Sequence, residues 1–176
     1  KWIKILNEQS IIAVDTETSS LNPLEADLVG VSFSYAPNKA CYIPLAHKNI
    51  KGLKKEMVLK KIKPILEDPS IKKVGQNIKF DFLILKQNNI EISPLEDTML
   101  ISYTLDAGTN RHNLDTLSEI HLNHKTISYK ELVGKGKNKL NFSDIELNRA
   151  TEYAAEDADV TLRLYNQLKA RLDEEK

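Results

Sequence analysis

Asp15-Thr16-Glu17 closes a short apolar, β-branched run, Ile11-Ile12-Ala13-Val14. Side chains two apart in a strand point the same way, so these two carboxylates would project together from an element whose other residues favour burial. Acids held close together and out of water repel, and resist ionising together. A hard divalent cation relieves that repulsion, because such ions prefer carboxylate oxygens. The plainer reading is a polar strand end, with Asp and Thr as turn formers. Asp81 falls in the first turn of an expected helix, with Asn77 near its N-cap; both residue types suit a helix N-terminus without any chemical duty. Tyr153 and Asp157 stand four apart in a long helical stretch and share a face, while Glu156 and Asp159 point elsewhere. Ala154 and Ala155 are small enough for another element to approach closely. A Tyr on the core beside a solvated Asp is the plainer alternative.

These groups need elements to carry them. Ile11–Val14 reads as a buried strand, Asp27–Ala36 as a second and Ala40–Leu45 as a third, joined closely enough for an antiparallel meander. Val58, Leu59, Ile62, Ile65 and Leu66 recur at helical spacing over Lys54–Leu66, despite Pro64. Val74-Gly75 reads as a short strand or turn, followed by a helix over Ile78–Gln87. Thr98–Leu105 and Leu114–Leu122 read as two more helices, and Lys125–Leu140 as polar and mixed. A long helix is expected from about Asp144 to Leu172, with Ser143 as its N-cap. Strands first and helices after imply a layered α/β or α+β domain.

Taken in order, Asp-x-Glu on a strand, Asn-x-x-x-Asp and a late Tyr-x-x-x-Asp strongly resemble the DEDD exonuclease superfamily in its tyrosine-bearing branch. The strings Val14–Thr18, Lys73–Asn77, Gly134–Asn138 and Tyr153–Asp159 look like the 3′–5′ proofreading exonuclease domain of bacterial DNA polymerase I. The resemblance runs from about Ile11 to Leu168. Each motif alone is weak; the ordered set is specific. The branch with His five residues before the last Asp is disfavoured, since Glu152 stands there. The resemblance implies a ribonuclease-H-like α/β fold: a mixed β-sheet, antiparallel meander plus parallel strands, flanked by α-helices. It implies metal-dependent hydrolysis of the terminal phosphodiester of single-stranded or frayed DNA 3′ ends, with Asp15, Glu17, Asp81, Tyr153 and Asp157 as the catalytic set. Asp15, Glu17 and Asp157 would hold one divalent ion, Mg²⁺ or Mn²⁺, and Asp15 with Asp81 a second. Tyr153 would orient the attacking water, because a phenol near pKa 10 is a poor base at neutral pH. Leu21 would wedge between the last bases and Tyr129, where the family pattern has Phe, would stack on the terminal base. Gln76, Asn77 and Arg111 are expected at the DNA backbone. A non-catalytic scaffold and an exoribonuclease of the same superfamily are the competing expectations.

The 176 residues include 25 Lys+Arg and 25 Asp+Glu, and 41% are hydrophobic. That length fits one domain, here residues 1–176, and that composition excludes a disordered chain. No apolar run reaches the roughly 20 residues that span a bilayer. No charged-then-apolar leader opens the chain, and a single cysteine fits a reducing compartment; together with the resemblance this implies a bacterial cytoplasmic, monomeric domain. Residue 1 is Lys, which suggests a piece of a longer chain, with a polymerase domain expected C-terminal to Lys176. Net neutrality argues against strong duplex binding, yet it hides local excess. Lys48–Lys63 holds seven lysines and one acid, and Lys125–Lys139 five lysines and one acid. Cys41 reads as a buried core thiol, and Trp2 as an N-terminal anchor. His112, His121 and His124 form no convincing ligand set.

Overall fold

A computed structural model describes residues 1–48, 50, 53–134, 136 and 139–175. Lys51 of the first lysine-rich stretch, Lys135, Lys137 and Asn138 of the second, and Lys176 of the tail lie outside the described residues. The elements run α1 (Trp2–Asn7), β1 (Ile11–Thr18), β2 (Leu28–Ala36), β3 (Lys39–Pro44), α2 (Lys55–Glu67), β4 (Lys72–Gly75), α3 (Lys79–Gln87), β5 (Leu95–Asp97), α4 (Thr98–Asp106), α5 (Leu114–Leu117), α6 (Tyr129–Val133) and α7 (Leu147–Glu174). They form a five-stranded sheet in the order β3-β2-β1-β4-β5, antiparallel from β3 to β1 and parallel from β1 to β5. The mixed sheet with flanking helices is the expected ribonuclease-H-like architecture. The parallel half is the part that periodicity alone left undetermined.

β1 is central and covered on both faces. Ile12 and Val14 enter the large core beneath the sheet with Val31, Phe33, Ile62 and Leu85. α7 lies across β1, β2 and β3 on the other face. It approaches closely because Ala150, Ala154 and Ala158, spaced by four, are fully buried. The close approach therefore belongs to this stripe, with Ala154 inside it and Ala155 half-buried beside it.

Several helix ends differ from expectation. α7 starts at Leu147, and Glu146, not Ser143, caps it by accepting from the Asn148 and Arg149 N–H groups. Ser143 instead sits in a 3₁₀ turn, its N–H and hydroxyl both on Asn141 Oδ1. Asn77 does not cap α3; its φ is +58° and its side chain is exposed. Ile78 is the N-cap residue of α3; Asp97 caps α4 by accepting from the Met99 N–H, and the same carboxylate holds the lead-in to α3 by accepting from the Asn77 and Ile78 N–H groups. Past α5 the chain widens into a π turn, Ser118–Leu122, ending at Asn123 with φ +48°, where one α-helix was expected. Lys73 is fully buried, its ammonium donating to the carbonyls of Asp68 and Ile65 at the end of α2, and burial pulls its pKa down to about 8. Trp2 meets Tyr35 edge to face at 5.5 Å, as an N-terminal anchor should. Cys41 is half-buried rather than buried.

Gly30 pairs with Glu17 on one side and Pro44 on the other. A Cβ there would lie 2.1–2.2 Å from the ring and hydroxyl of Tyr42. Tyr42 has little room to retreat, being bonded to His47 Nε2 at 2.8 Å and packed on Phe142. Gly30→Ala should therefore cost about 1–3 kcal/mol of stability, an overpacking penalty readable as a lowered midpoint in thermal or urea unfolding.

Candidate active site

β1 extends past Val14, so Asp15, Thr16 and Glu17 are in the strand and not in a turn after it. Asp15 and Glu17 face α7, and Thr16 faces α3. The register with β2 slips between Glu17 and Thr18, a bulge of the kind that re-aims strand ends beside active sites. α7 brings Asp157 over this pair, and carboxylate oxygens of Asp15, Glu17 and Asp157 lie within 4.8 Å of one another. Among the described residues this is the one cluster of three or more ligand-type side chains. Asp81 joins from α3: Thr16 donates to its Oδ1 through both the backbone N–H, at 2.9 Å, and the hydroxyl, at 2.6 Å. Thr16, weighed in the sequence only as a turn former, thus orients the fourth acid.

The electrostatics follow from burial and from mutual repulsion among the acids. Glu17 is 7% and Asp81 4% exposed. Asp15 is raised well above the usual carboxylate range, first by burial and then by Asp81, Glu17 and Asp157. Glu17 is raised by burial, Asp157 and Asp81. Burial lifts Asp81 to about 7 against the opposing Thr16 bonds, and Asp157 to about 8 against its interaction with Tyr153. Tyr153 is itself pushed upward by burial and by Asp157, Glu17 and Asp15. Its phenol therefore stays protonated and acts as a donor. An all-oxygen set held this close fits a hard divalent ion.

Asp15, Glu17, Tyr153 and Asp157 line an open cavity of about 490 Å³, and Asp81 lies behind Thr16 without reaching its wall. Leu21, 82% exposed, stands on one rim on the loop between β1 and β2. Tyr129, at the start of α6, forms the opposite wall, with its ring 5.9 Å from that of Tyr153 and the Lys139 ammonium 5.4 Å from its centroid. Phe80, Asn141 and Phe142 also line the space. The hydrophobic pattern carried no sign of them, because they come from two segments far apart in the chain. The structure does not bring Gln76, Asn77 or Arg111 to the cavity wall. Gln76 is committed to Thr98 and to the His112 carbonyl, and Asn77 and Arg111 are exposed elsewhere. The histidines are not gathered into a ligand set; His124 pairs with Glu156 and His112 with Ser102.

Sheet, helix and acid cluster together define a ribonuclease-H-like nuclease with a carboxylate site. A profile of the 3′–5′ exonuclease family matches residues 1–173, and the chain belongs to that family, whose members are hydrolases acting on nucleic acid. It is 45% identical to DNA polymerase I of Rhizobium leguminosarum, over 98% of this chain and 19% of that protein. It is 43% identical to DNA polymerase I of Pseudomonas aeruginosa, over 98% of this chain and 20% of that protein. The chain thus spans about a fifth of the length of these relatives. Among solved structures, Brucella melitensis NrnC superposes with a TM-score of 0.73 at 24% identity, over 96% of this chain and 76% of that one. That likeness supports the fold.

The raised acids set a pH dependence for the metal-free protein. In the unfolded chain they titrate near 4; folded, Asp81 and Asp157 titrate at about 7 and about 8. Between those values the folded state binds more protons than the unfolded one, so stability falls as pH rises through that window. With chelator present, the thermal midpoint should drop from about pH 5 to about pH 8.5, and added Mg²⁺ should recover more at the higher pH, where the acids are ionised.

Proposed function

We propose that the chain removes nucleotides from the 3′ end of single-stranded or frayed DNA, releasing nucleoside monophosphates, as the proofreading part of a DNA polymerase. The observation that carries this reading is the convergence of Asp15, Glu17 and Asp157 beneath Tyr153, at the floor of a cavity walled by Leu21 and Tyr129. Asp15, Glu17 and Asp157 would hold one Mg²⁺ or Mn²⁺ ion, and Asp15 with Asp81 a second. Once bound, such ions would supply an activated water and neutralise charge on the phosphate and the leaving oxygen. Thr16 fixes the Asp81 carboxylate so that its geometry is set before substrate arrives. The protonated Tyr153 hydroxyl holds the attacking water in line. It does not take the water's proton, since its pKa is pushed up, away from neutrality.

The two walls suit a single strand. Leu21, exposed on its loop, inserts between the last bases, and Tyr129 stacks on the terminal one; stacking tolerates every base because each has a π-face. Lys139, over the Tyr129 ring, adds positive charge where phosphates pass. Gln76 already serves Thr98 and His112, so of the outlying residues Asn77 and Arg111 are the better placed for strand beyond the cavity. A mismatched end frays more readily than a paired one, and a frayed end reaches a single-strand cavity more often. The relatives' far greater length supports a polymerase domain in the same parent chain, acting in the bacterial cytoplasm.

The experiment is mononucleotide release from a 3′-labelled single-stranded oligonucleotide with Mg²⁺. Asp15→Ala and excess chelator should each remove activity to background, and activity that persists in either would refute the site. Matched RNA should be cut more slowly than DNA; a strong RNA preference would reassign the substrate. Tyr153→Phe keeps the ring and loses the hydroxyl. It should lower kcat by roughly 10–100-fold with KM little changed, the pattern of a group that acts on the transition state.

A further inference from the structure

Glu156 is the acid beside Asp157, and nothing in the site described above uses it. Both of its carboxylate oxygens are occupied. Oε1 accepts from His124 Nε2 at 2.8 Å, and Oε2 from the Ile127 backbone N–H at 2.6 Å. The two donors sit at the ends of a four-residue segment without regular secondary structure. That segment begins after Asn123, where the chain leaves the π turn, and two residues past its end Tyr129 opens α6 and enters the cavity. On its other side the segment is held by Thr126 Oγ1 donating to Asp115 Oδ1 at 2.7 Å, and by the Ser118 hydroxyl donating to the His124 carbonyl at 2.8 Å. α6 has five residues, far fewer than a helix needs to stand alone, so the position of Tyr129 comes from what α6 is tied to. Leu132 and Val133 tie its far end to the core.

We infer that Glu156 is a positioning residue for the substrate strand. By clamping both ends of segment 124–127 to α7, it sets Tyr129 against Tyr153. Glu156 and Tyr153 are three residues apart on one helix, so a single rigid element fixes both rings as well as Asp157. Hydrogen bonds to a carboxylate are roughly twice as strong as neutral ones, which suits a clamp on an otherwise irregular segment. The inference rests on the reading of Tyr129 as the stacking surface.

The test uses the whole chain as Glu156→Ala, Glu156→Gln, Tyr129→Ala and the double variant Glu156→Ala/Tyr129→Ala. Amide exchange at Ile127, followed by NMR without DNA or metal, reads the clamp by itself. Glu156→Ala should speed it while the core amides of α7 stay protected. Glu156→Gln should restore protection, because its amide accepts from Ile127 and donates to His124. Unchanged exchange at Ile127 in Glu156→Ala overturns the inference. On single-stranded DNA with Mg²⁺, Glu156→Ala should raise KM about tenfold, the scale of one lost base stack, with kcat within about twofold. In the Tyr129→Ala background it should add less than about twofold, since both changes remove the same contact. Independent, additive effects, or a fall in kcat together with weaker Mg²⁺ binding, would overturn the inference by placing Glu156 in the metal site. Should Glu156→Ala fail to fold, Glu156→Asp keeps the charge on α7 but draws the carboxylate back by one methylene from both donors, and unchanged Ile127 exchange there is equally decisive. If the unsubstituted chain releases no nucleotide, the proposed function fails, and the amide exchange still decides the clamp.

Discussion

The molecule is organised around a repulsion. Four acids from three elements are held together, and the nearest of them lie within 4.8 Å of one another. Nothing about these side chains favours the meeting; their raised pKa values register its cost. Apolar burial elsewhere opposes it. Beneath the sheet, Ile12 and Val14 alternate with the acids along β1 and anchor the strand in the larger core. Above it, α7 runs from one core cluster, which it leaves at Ala154, into another, which it enters at Val160, and Asp157 falls between them. The acid is thus carried by a helix pinned at both ends. A site built on strand and helix in this way keeps its geometry better than one on loops.

A second layer of polar residues decides where the acids point. Thr16 takes hold of Asp81 through its backbone and its hydroxyl. Asp97 caps α4 and, with the same carboxylate, holds Asn77 and Ile78 at the entry to α3, the helix that carries Asp81. Asp159, about half a turn past Asp157, accepts from the Asn38 N–H in the β2–β3 turn and pairs with Arg163. The densely acidic run Glu156-Asp157-Asp159 therefore divides by direction: one residue faces the cavity and two fasten neighbouring segments to α7.

How much of this was legible in the sequence depended on whether the cause was local. β1 to β3 and the core face of α2 follow from patterns of period two and 3.6, and the structure has them. Asp15 with Glu17, and Tyr153 with Asp157, could be placed on common faces because their spacing fits a single element. β5 was not anticipated, since three residues with Leu95 exposed carry no apolar alternation. Asn77 stands one residue before the α3 N-cap, Ile78, close to where it was expected. The N-cap of α7 was misassigned because Ser143 is the right residue type near the right place, and the actual cap lies three residues beyond it. The meeting of Asp81 with β1 spans 65 residues of chain. No local pattern announces such a contact, and it was expected only through the resemblance of the ordered motif set.

The zero net charge acquires a different meaning once the acids are located. Four of the 25 acids stand in one small volume, where two divalent ions would supply about four compensating positive charges. Lys139, by contrast, lies over Tyr129 at the cavity wall, at the described end of a lysine-rich stretch. The balance is thus a negative floor beneath a positive rim, a field that selects an anionic strand only when the floor is neutralised. The same arrangement leaves little net charge for gripping duplex DNA at long range, because phosphate binding scales with the number of counterions released. Neutrality therefore bears on affinity and not on chemistry. Under the function proposed above, it would suit a cavity that receives a strand end briefly rather than one that grips a duplex.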